Sequence, residues 1–371
     1  MKVSIDSRTV EPGDIFIPVK GKNHDGRAFM EEAAKKGARV LDVDLTDYAK
    51  AYRKKLTCHV IAITGSAGKT TAKDQLSAIL GTKYKVTKTL ENQNNEVGVP
   101  LTVLSADYST EILIVELAMR HKGEIAQLTR IVRPTHTVVT SIGLTHVELL
   151  KSQRQIAAAK AEVFMKRQKW EAENRFAFIN FATPFHKLLH KKAVAAGYSI
   201  LPFEGETKID QTLNMCYTVG HHFGLTDAEI QAGLSNYKGS SHRLQLHRLR
   251  EITVIDDAYN ANPDGVVYAL QYLKRQPGRK ILVMGDMLEL GTHSKQEHEK
   301  IGELALDAEV SIVYTFGEQS AVIQSDYHFR DRNQLHRSLV QELRAGDVVL
   351  VKGSRGMKME ETVNFLQSHY Q

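Results

Sequence analysis

Apolar residues along this chain gather into short, dense runs separated by stretches with helical spacing. The run HVIAITG (59–65) is β-branched, uninterrupted and closed by glycine. EILIVEL (111–117), HTVVTSI (136–142) and FAFINFA (176–182) follow the same pattern, and so do EITVIDD (251–257), KILVMGD (280–286), VSIVYTF (310–316) and DVVLVKG (347–353). Runs without alternation read as strands buried on both faces. Between them lie helical patterns such as KTTAKDQLSAIL (69–80) and PDGVVYALQYLKRQ (263–276), the latter with Pro263 at its start. Strand–helix alternation predicts parallel sheets covered by helices on both sides. Before residue 58 the pattern is weaker: a strand in DIFIPV (14–19), a helix in FMEEAAKKGA (29–38), a strand-like RVLDVDL (39–45), and a charged stretch, YAKAYRKKLT (48–57), that reads as a linker. The expected fold class is α/β in three domains: a small α/β unit at 1–57, a central parallel-sheet unit with a phosphate loop at 58–243, and a Rossmann-like unit at 244–371.

Length and composition agree with this division. At 371 residues the chain exceeds one ordinary core. Its 42% hydrophobic and 25% charged content is that of a globular protein. No apolar run nears the roughly 18 residues of a membrane span. The opening MKVSIDSRTVEPGD has no signal core, so a cytoplasmic protein is expected. Two cysteines, Cys58 and Cys216, make neither a disulfide framework nor a zinc pattern. The net charge of +6 suits anionic ligands, but the basic residues are scattered, which argues against nucleic acid.

The sharpest chemical signal is ITGSAGKTT, Ile63 to Thr71. Strand, glycine-rich turn and helix together form a phosphate cradle: Gly65, Ser66, Ala67 and Gly68 turn backbone N–H groups toward an anion, and the helix start adds partial positive charge. Lys69 can reach the terminal phosphates of ATP, the Thr70 hydroxyl can ligate Mg²⁺, and Thr71 completes the helix start. The longer G-x-x-x-x-G-K-[ST] pattern would need glycine at Ile63, so this is a shorter form. Glu116 ends the strand ILIVE and His146 follows HTVVTSIG, which puts both at the same carboxyl edge as the loop, where ligands bind. Both are candidate metal ligands. Lys160, in QIAAAKAEVF, has nothing in its spacing to mark it out.

The chain resembles the Mur ligases, ATP-dependent amide-bond synthetases. The carrying motifs run from DSRTVEPGDIFIPVKGKNHDGRAF (6–29) through TGSAGKTT, ENQNNEVGVPLTVL (91–104), VELAMRHKGEIAQLTRIVRP (115–134), GLTHVELLKSQRQIAAAKAEVF (143–164), IDDAYNANPDG (255–265) and VMGDMLELG (283–291) to VKGSRGMKME (351–360). Their order and co-occurrence are most like the branch that joins D-alanyl-D-alanine to UDP-muramoyl-tripeptide. The resemblance implies ATP and two Mg²⁺ ions as cofactors, those two small-molecule substrates, and a monomer.

It also implies roles by position. Lys69 and Thr70 would bind phosphates and metal, Glu116 the first Mg²⁺ and His146 the second. Lys160 would be carbamylated into an anionic metal ligand. Asn94 and Asn95 would line the cleft. Arg243, Asp257 and Asn262 would hold ATP from the third unit's side. Lys352, Ser354 and Arg355 would receive the amine. Ser7 and Arg8, with the stretch from Asn23 to Phe29, would read the uridine nucleotide. Residues 1–57 are short for the family, 200–215 is contracted, Asp210-Gln211 stands where the family has His-Asn before Asn214, and Ala118 replaces a glycine. A Mur-type ligase for another acid and amine is the alternative. A non-catalytic descendant would have lost Lys69, Glu116, His146 and Lys160, and all four are present.

Overall fold

The computed structural model describes all residues except Met1, Lys22, Asn23, His146, Ala172, Lys238 and Ser240. The three units appear as three sheets. The first is small and parallel: β1 (Val3–Ser4), β2 (Ile15–Phe16) and β3 (Arg39–Val40), in that order. The second holds β4 (His59–Thr64), β5 (Val86–Lys88), β6 (Ile112–Glu116), β7 (His136–Val139), β8 (Phe176–Asn180) and β9 (Ser199–Phe203). Its order is β5-β6-β4-β7-β8-β9, and every pairing is parallel. The third holds β10 (Gln245–Arg248), β11 (Thr253–Asp257), β12 (Lys280–Gly285), β13 (Val310–Phe316), β14 (Tyr327–Phe329) and β15 (Val348–Lys352), in the order β10-β11-β15-β12-β13-β14. Only β10 runs antiparallel to its neighbour, at one edge.

The dense apolar runs became the central strands because each must bury both faces. Side chains of β4 point alternately into two different cores: Val60 and Ala62 join Val99, Leu113 and Val115, while Ile61 and Ile63 join Leu76, Ile79 and Val219. The strands that the apolar pattern missed, β1, β5, β9, β10 and β14, all lie at sheet edges with mixed exposure. Strands lining one side of a sheet need less apolar character, so their sequence signal is weak.

One expectation fails. YAKAYRKKLT is not a linker: its first half completes the helix Leu45–Arg53. Leu45 and Ala49, four apart, are buried in the same core as Val60 and Leu113. Arg53, 4% exposed, donates from Nε to the carbonyl of Val132 (2.7 Å) and from Nη2 to that of Arg133 (3.0 Å), closing the end of the helix Glu124–Val132. The many charges belong to the outer face of a helix that mortars the first sheet onto the second. Ile15 and Ile17 of the first unit share that core too, so no gap in packing marks residue 57.

The central sheet positions the site through its connectivity. The chain leaves β4 to build β5 and β6 on one side, then crosses to β7 on the other. Connections diverge at the carboxyl end of β4, and such a switch point opens a crevice.

Candidate active site

The crevice is a cleft of about 920 Å³, lined by the carboxyl edges of both large sheets. The phosphate loop forms its floor. Gly65, at φ 154°, has no room for a side chain: a Cβ there would lie 1.9 Å from Thr140 Oγ1. Gly68 caps the helix Lys69–Leu80 from the left-handed region, at φ 78°. The strand end after β7 braces the loop from beside it. Ser66 N–H donates to the carbonyl of Ser141 (2.9 Å), Ala67 N–H to Ser141 Oγ (3.0 Å), and Thr140 Oγ1 to the carbonyl of Ala67 (2.6 Å). Thr71 lines the cleft one residue beyond Thr70.

Two lysines converge on the loop. Lys69 Nζ and Lys160 Nζ each donate to the carbonyl of Gly65 at 2.9 Å. Lys160, from the end of the helix Gln153–Lys160, is 2% exposed. Burial and the neighbouring Lys69 hold its pKa well below the ordinary lysine range. Burial also lowers the pKa of Lys69, with Arg243 adding to the effect and Glu116 opposing it. Sequence spacing gave no reason to single out Lys160; three-dimensional placement does.

Glu116, 1% exposed, accepts from Thr70 Oγ1 at Oε2 (2.8 Å) and from Asn94 Nδ2 at Oε1 (2.8 Å). Thr70 and Glu116 thus present a hydroxyl and a carboxylate side by side beside the phosphate cradle, hard oxygen donors of the kind Mg²⁺ takes. They make a partial set: among the described residues, no three His, Cys, Asp or Glu side chains gather to hold a metal. His146 lies outside the described residues; its neighbour Thr145 lines the cleft.

Asn95 lies beside Asn94 but works on the backbone, its Oδ1 accepting from the N–H groups of Val97 (3.2 Å) and Gly98 (2.9 Å) ahead of the helix Gly98–Ser105.

The opposite wall comes from the third sheet. Asp257 and Lys352 end neighbouring strands β11 and β15 and pair at 2.5 Å, both buried. Burial raises the pKa of Asp257, and the Lys352 ammonium opposes that rise. Lys352 also donates to the carbonyl of Asn260 (2.9 Å), so its charge is committed within the wall. Asn262 caps the helix Pro263–Lys274, its Oδ1 accepting from Gly265 N–H (2.9 Å). Ser354 Oγ accepts from Leu288 N–H (2.8 Å), and Arg355 pairs with Glu360 (2.9 Å). The Arg243 guanidinium stacks over the Tyr259 ring at 4.1 Å, with Arg355 5.8 Å from the same ring.

Among the described residues, the structure does not bring the candidate uridine-nucleotide residues to this cleft; Asn23 lies outside the described residues. Ser7 is buried, donating to Glu32 Oε2 (3.0 Å), and Arg8 is paired with Asp6 (2.7 Å) on an exposed surface. Conversely, the cleft includes residues the sequence did not flag. Asn180 ends β8 and donates to the carbonyl of Thr140 and to Gln211 Oε1, both at 2.9 Å. The rule that picked Glu116, a polar residue ending an apolar strand, would have found it. Lys208 pairs with Asp264 (3.2 Å) across the cleft between the two sheets; no local pattern announces a pair 56 residues apart.

Comparisons with known proteins agree with this geometry. The profile described as the Mur ligase middle domain matches residues 63–235. The Mur ligase, glutamate ligase domain matches 242–355, and the Mur ligase family, catalytic domain, 2–97. The UDP-N-acetylmuramoyl-tripeptide–D-alanyl-D-alanine ligase of Bacillus subtilis is 31% identical over 427 residues, covering 98% of this chain and 92% of its own. The ligase of that name from Escherichia coli is 31% identical over 424 residues, covering 99% and 94%. Both alignments are longer than this 371-residue chain, so the relatives carry segments it lacks. The crystal structure of MurF ligase from Thermotoga maritima in complex with ADP superposes with a TM-score of 0.84 at 27% identity, covering 100% of this chain and 97% of that one. Phosphate loop, two-walled cleft and full-length relatives converge on one conclusion: the chain belongs to the Mur ligase family.

Proposed function

We propose that this chain is an ATP-dependent ligase that adds D-alanyl-D-alanine to UDP-N-acetylmuramoyl-tripeptide in peptidoglycan synthesis. The observation that carries the reading is one cleft in which the phosphate loop and Glu116 on one wall face Arg243, Asp257 and Asn262 on the other, with Lys160 buried behind the loop on the Gly65 carbonyl. The 31% identity to ligases of that name over nearly the whole chain supports the substrate pair. The division of labour follows the boundaries 1–57 for the acid's nucleotide end, 58–243 for ATP, and 244–371 for the adenosine and amine sides.

The chemistry has two steps. An oxygen of the tripeptide's terminal carboxylate attacks the γ-phosphorus of ATP, the bond to ADP breaks, and an acyl phosphate forms. The amine of D-alanyl-D-alanine then attacks the activated carbonyl, phosphate leaves with the bonding pair, and the amine gives up a proton. The first step brings two anions together. The N–H groups at the start of the helix Lys69–Leu80 and the Lys69 ammonium offset their charge, and Arg243, held over the Tyr259 ring, reaches the nucleotide from the far wall. The two walls exclude water, which would otherwise hydrolyse the acyl phosphate.

Thr70 and Glu116 would hold Mg²⁺, which supplies positive charge to the phosphates, with His146 toward a second ion. Lys160 fits such a site only as an anion. Its lowered pKa favours the free amine, which adds CO₂ and loses a proton to give a carbamate. Asn94 orients Glu116, and Ser354 and Arg355 face the amine. Use of ATP and a UDP-linked acid supports a cytoplasmic enzyme. One chain supplies both walls, which supports a monomer; among the described residues no helix is long and apolar enough to cross a membrane.

A second reading keeps the ligase chemistry and changes the acid. It is favoured by Ser7 and Arg8, whose polar groups are engaged within the first unit. Phosphate release measured with each substrate alone and together decides between them. The first reading expects release only with both UDP-N-acetylmuramoyl-tripeptide and D-alanyl-D-alanine; no stimulation at saturating concentrations would shift the assignment to another acid.

A further inference from the structure

The phosphate-loop helix carries a second lysine one turn beyond Lys69. Lys73 is 2% exposed and points away from the cleft lining. Its ammonium donates to the carbonyl of Thr89 (2.9 Å) and to that of Glu91 (3.4 Å), and lies 3.3 Å from Asp74 Oδ1. Asp74 is shared, pairing more closely with Lys88 at 2.7 Å. Glu91 stands at φ 45°, the left-handed region that an L residue enters only when something holds it there.

The segment gripped in this way is the one that sets Glu116. Thr89 Oγ1 accepts the Glu116 N–H (3.0 Å), and Thr89 N–H donates to Ile114 (2.9 Å), both on β6. Five residues on, the carbonyl of Asn94 accepts from Ala118 N–H (3.0 Å), and Asn94 Nδ2 holds Glu116 Oε1 (2.8 Å). The loop 89–94 is therefore tied to the Glu116 strand at both ends and to the phosphate-loop helix through Lys73. A buried cation is a costly way to fill a core, and an apolar side chain of similar length would pack there without desolvation. What the ammonium provides is direction: it turns two carbonyls of one loop toward the helix that also carries Thr70.

We infer that Lys73 is a positioning residue that locks loop 89–94 to the phosphate-loop helix, so that Asn94 keeps the Glu116 carboxylate against Thr70 in the geometry that receives a divalent cation with the nucleotide. The inference rests on the reading of Thr70 and Glu116 as the Mg²⁺ ligands. Lys73 touches neither nucleotide nor metal; its effect passes through the loop.

The test is binding of a fluorescent ADP analogue to the full chain, with EDTA or with excess Mg²⁺. It needs neither acid nor amine, so it does not depend on the substrate assignment. Lys73→Met should bind within about twofold of wild type in EDTA, because the loop N–H groups and Lys69 are untouched. It should require about tenfold more Mg²⁺ for half-maximal tightening, the scale on which residues behind a metal ligand act. Glu91→Pro forces φ negative at an exposed residue and breaks the same grip from the loop side. It should reproduce the Mg²⁺ shift even where Lys73→Met does not fold. Lys88→Met, which removes only the neighbouring ion pair with Asp74, should leave the Mg²⁺ requirement unchanged. Wild-type Mg²⁺ dependence in the folded Lys73 and Glu91 variants overturns the inference, as does equal weakening with and without Mg²⁺. Wild-type binding that ignores Mg²⁺ overturns the metal reading, and the inference with it.

Discussion

The two ends of the central strands bury titratable groups in opposite ways. β4 starts at His59 and runs into Gly65; β7 starts at His136 and runs into Thr140. At the carboxyl end, Lys69 and Lys160 crowd one carbonyl beside a 920 Å³ cleft that Lys69 and Glu116 line. At the amino end, His136 is enclosed by Phe176, Phe178 and Phe223 and meets His222 Nε2 to Nε2 at 3.1 Å. Burial, with His222 and His59 as further causes, keeps the His136 pKa well below its ordinary value. Aromatic walls make one end a sealed core that tolerates polar atoms. Glycine turns and a helix start make the other a socket in which two lysines share one carbonyl and the Glu116 carboxylate lies near Lys69.

Removing a cation from the socket should have the largest effect. Lys69→Ala is expected to cut phosphate release by about 10²–10³-fold, the scale for losing one stabiliser of developing charge. Its thermal unfolding should stay near wild type, because Lys69 serves the cleft and not a core. Calorimetry beside a phosphate assay checks both; near-normal turnover in a folded variant would refute the role.

Lys160→Ala comes next, with a loss of about 10²-fold and partial recovery when a short carboxylic acid is added, since a small anion can occupy the space of the carbamate. Assays of the variant with and without acetate measure this. A bare ammonium on wild-type Lys160, in a crystal grown with bicarbonate at alkaline pH, would count against the carbamate.

The sealed end should show itself in stability instead of rate. A histidine with a lowered folded pKa binds fewer protons folded than unfolded once pH falls below about 6.5. His136 and His222 should therefore contribute full stability above that pH and lose it progressively below. His136→Phe should lie within about 1.5 kcal/mol of wild type at pH 7 and should flatten the fall of the melting temperature between pH 7 and 5. An unchanged acid slope would contradict this account of the amino end.

The smallest effect is expected at Arg8→Ala. Its exposed pair with Asp6 is screened by solvent and adds little stability, so chemical denaturation should register little. If the first unit reads the uridine nucleotide, the variant should raise KM for the acid while leaving KM for ATP alone.

The same contrast explains what was legible in the sequence. HVIAITG and ILIVE announced themselves because a strand buried on both faces needs an unbroken apolar run, and a polar residue at its end has few reasons to be there except the edge it reaches. Thus Gly65, Lys69, Thr70 and Glu116 were readable from residue order. Lys160 was not, because its environment is made by the carbonyl of a residue 95 positions away; only the family resemblance drew attention to it. The Lys352–Asp257 pair joins neighbouring strand ends whose adjacency depends on sheet order, which residue spacing does not encode. YAKAYRKKLT misled because its charges coat the outside of a helix whose core side is Leu45 and Ala49 with the partly buried rings of Tyr48 and Tyr52. Weak edges such as β5 and β14 left no apolar run to find.

In the proposed reaction the acid's own carboxylate, and not water, takes the phosphoryl group in this cleft. This is tested most directly by turning over UDP-N-acetylmuramoyl-tripeptide labelled with ¹⁸O in its terminal carboxylate, together with ATP and D-alanyl-D-alanine, and weighing the phosphate released. An acyl-phosphate route leaves one labelled oxygen in each phosphate, because the oxygen that attacked phosphorus departs with it when the amine attacks carbon. Unlabelled phosphate, with label retained in the acid, would mean that water attacks ATP and that the cleft is not the ligase site described.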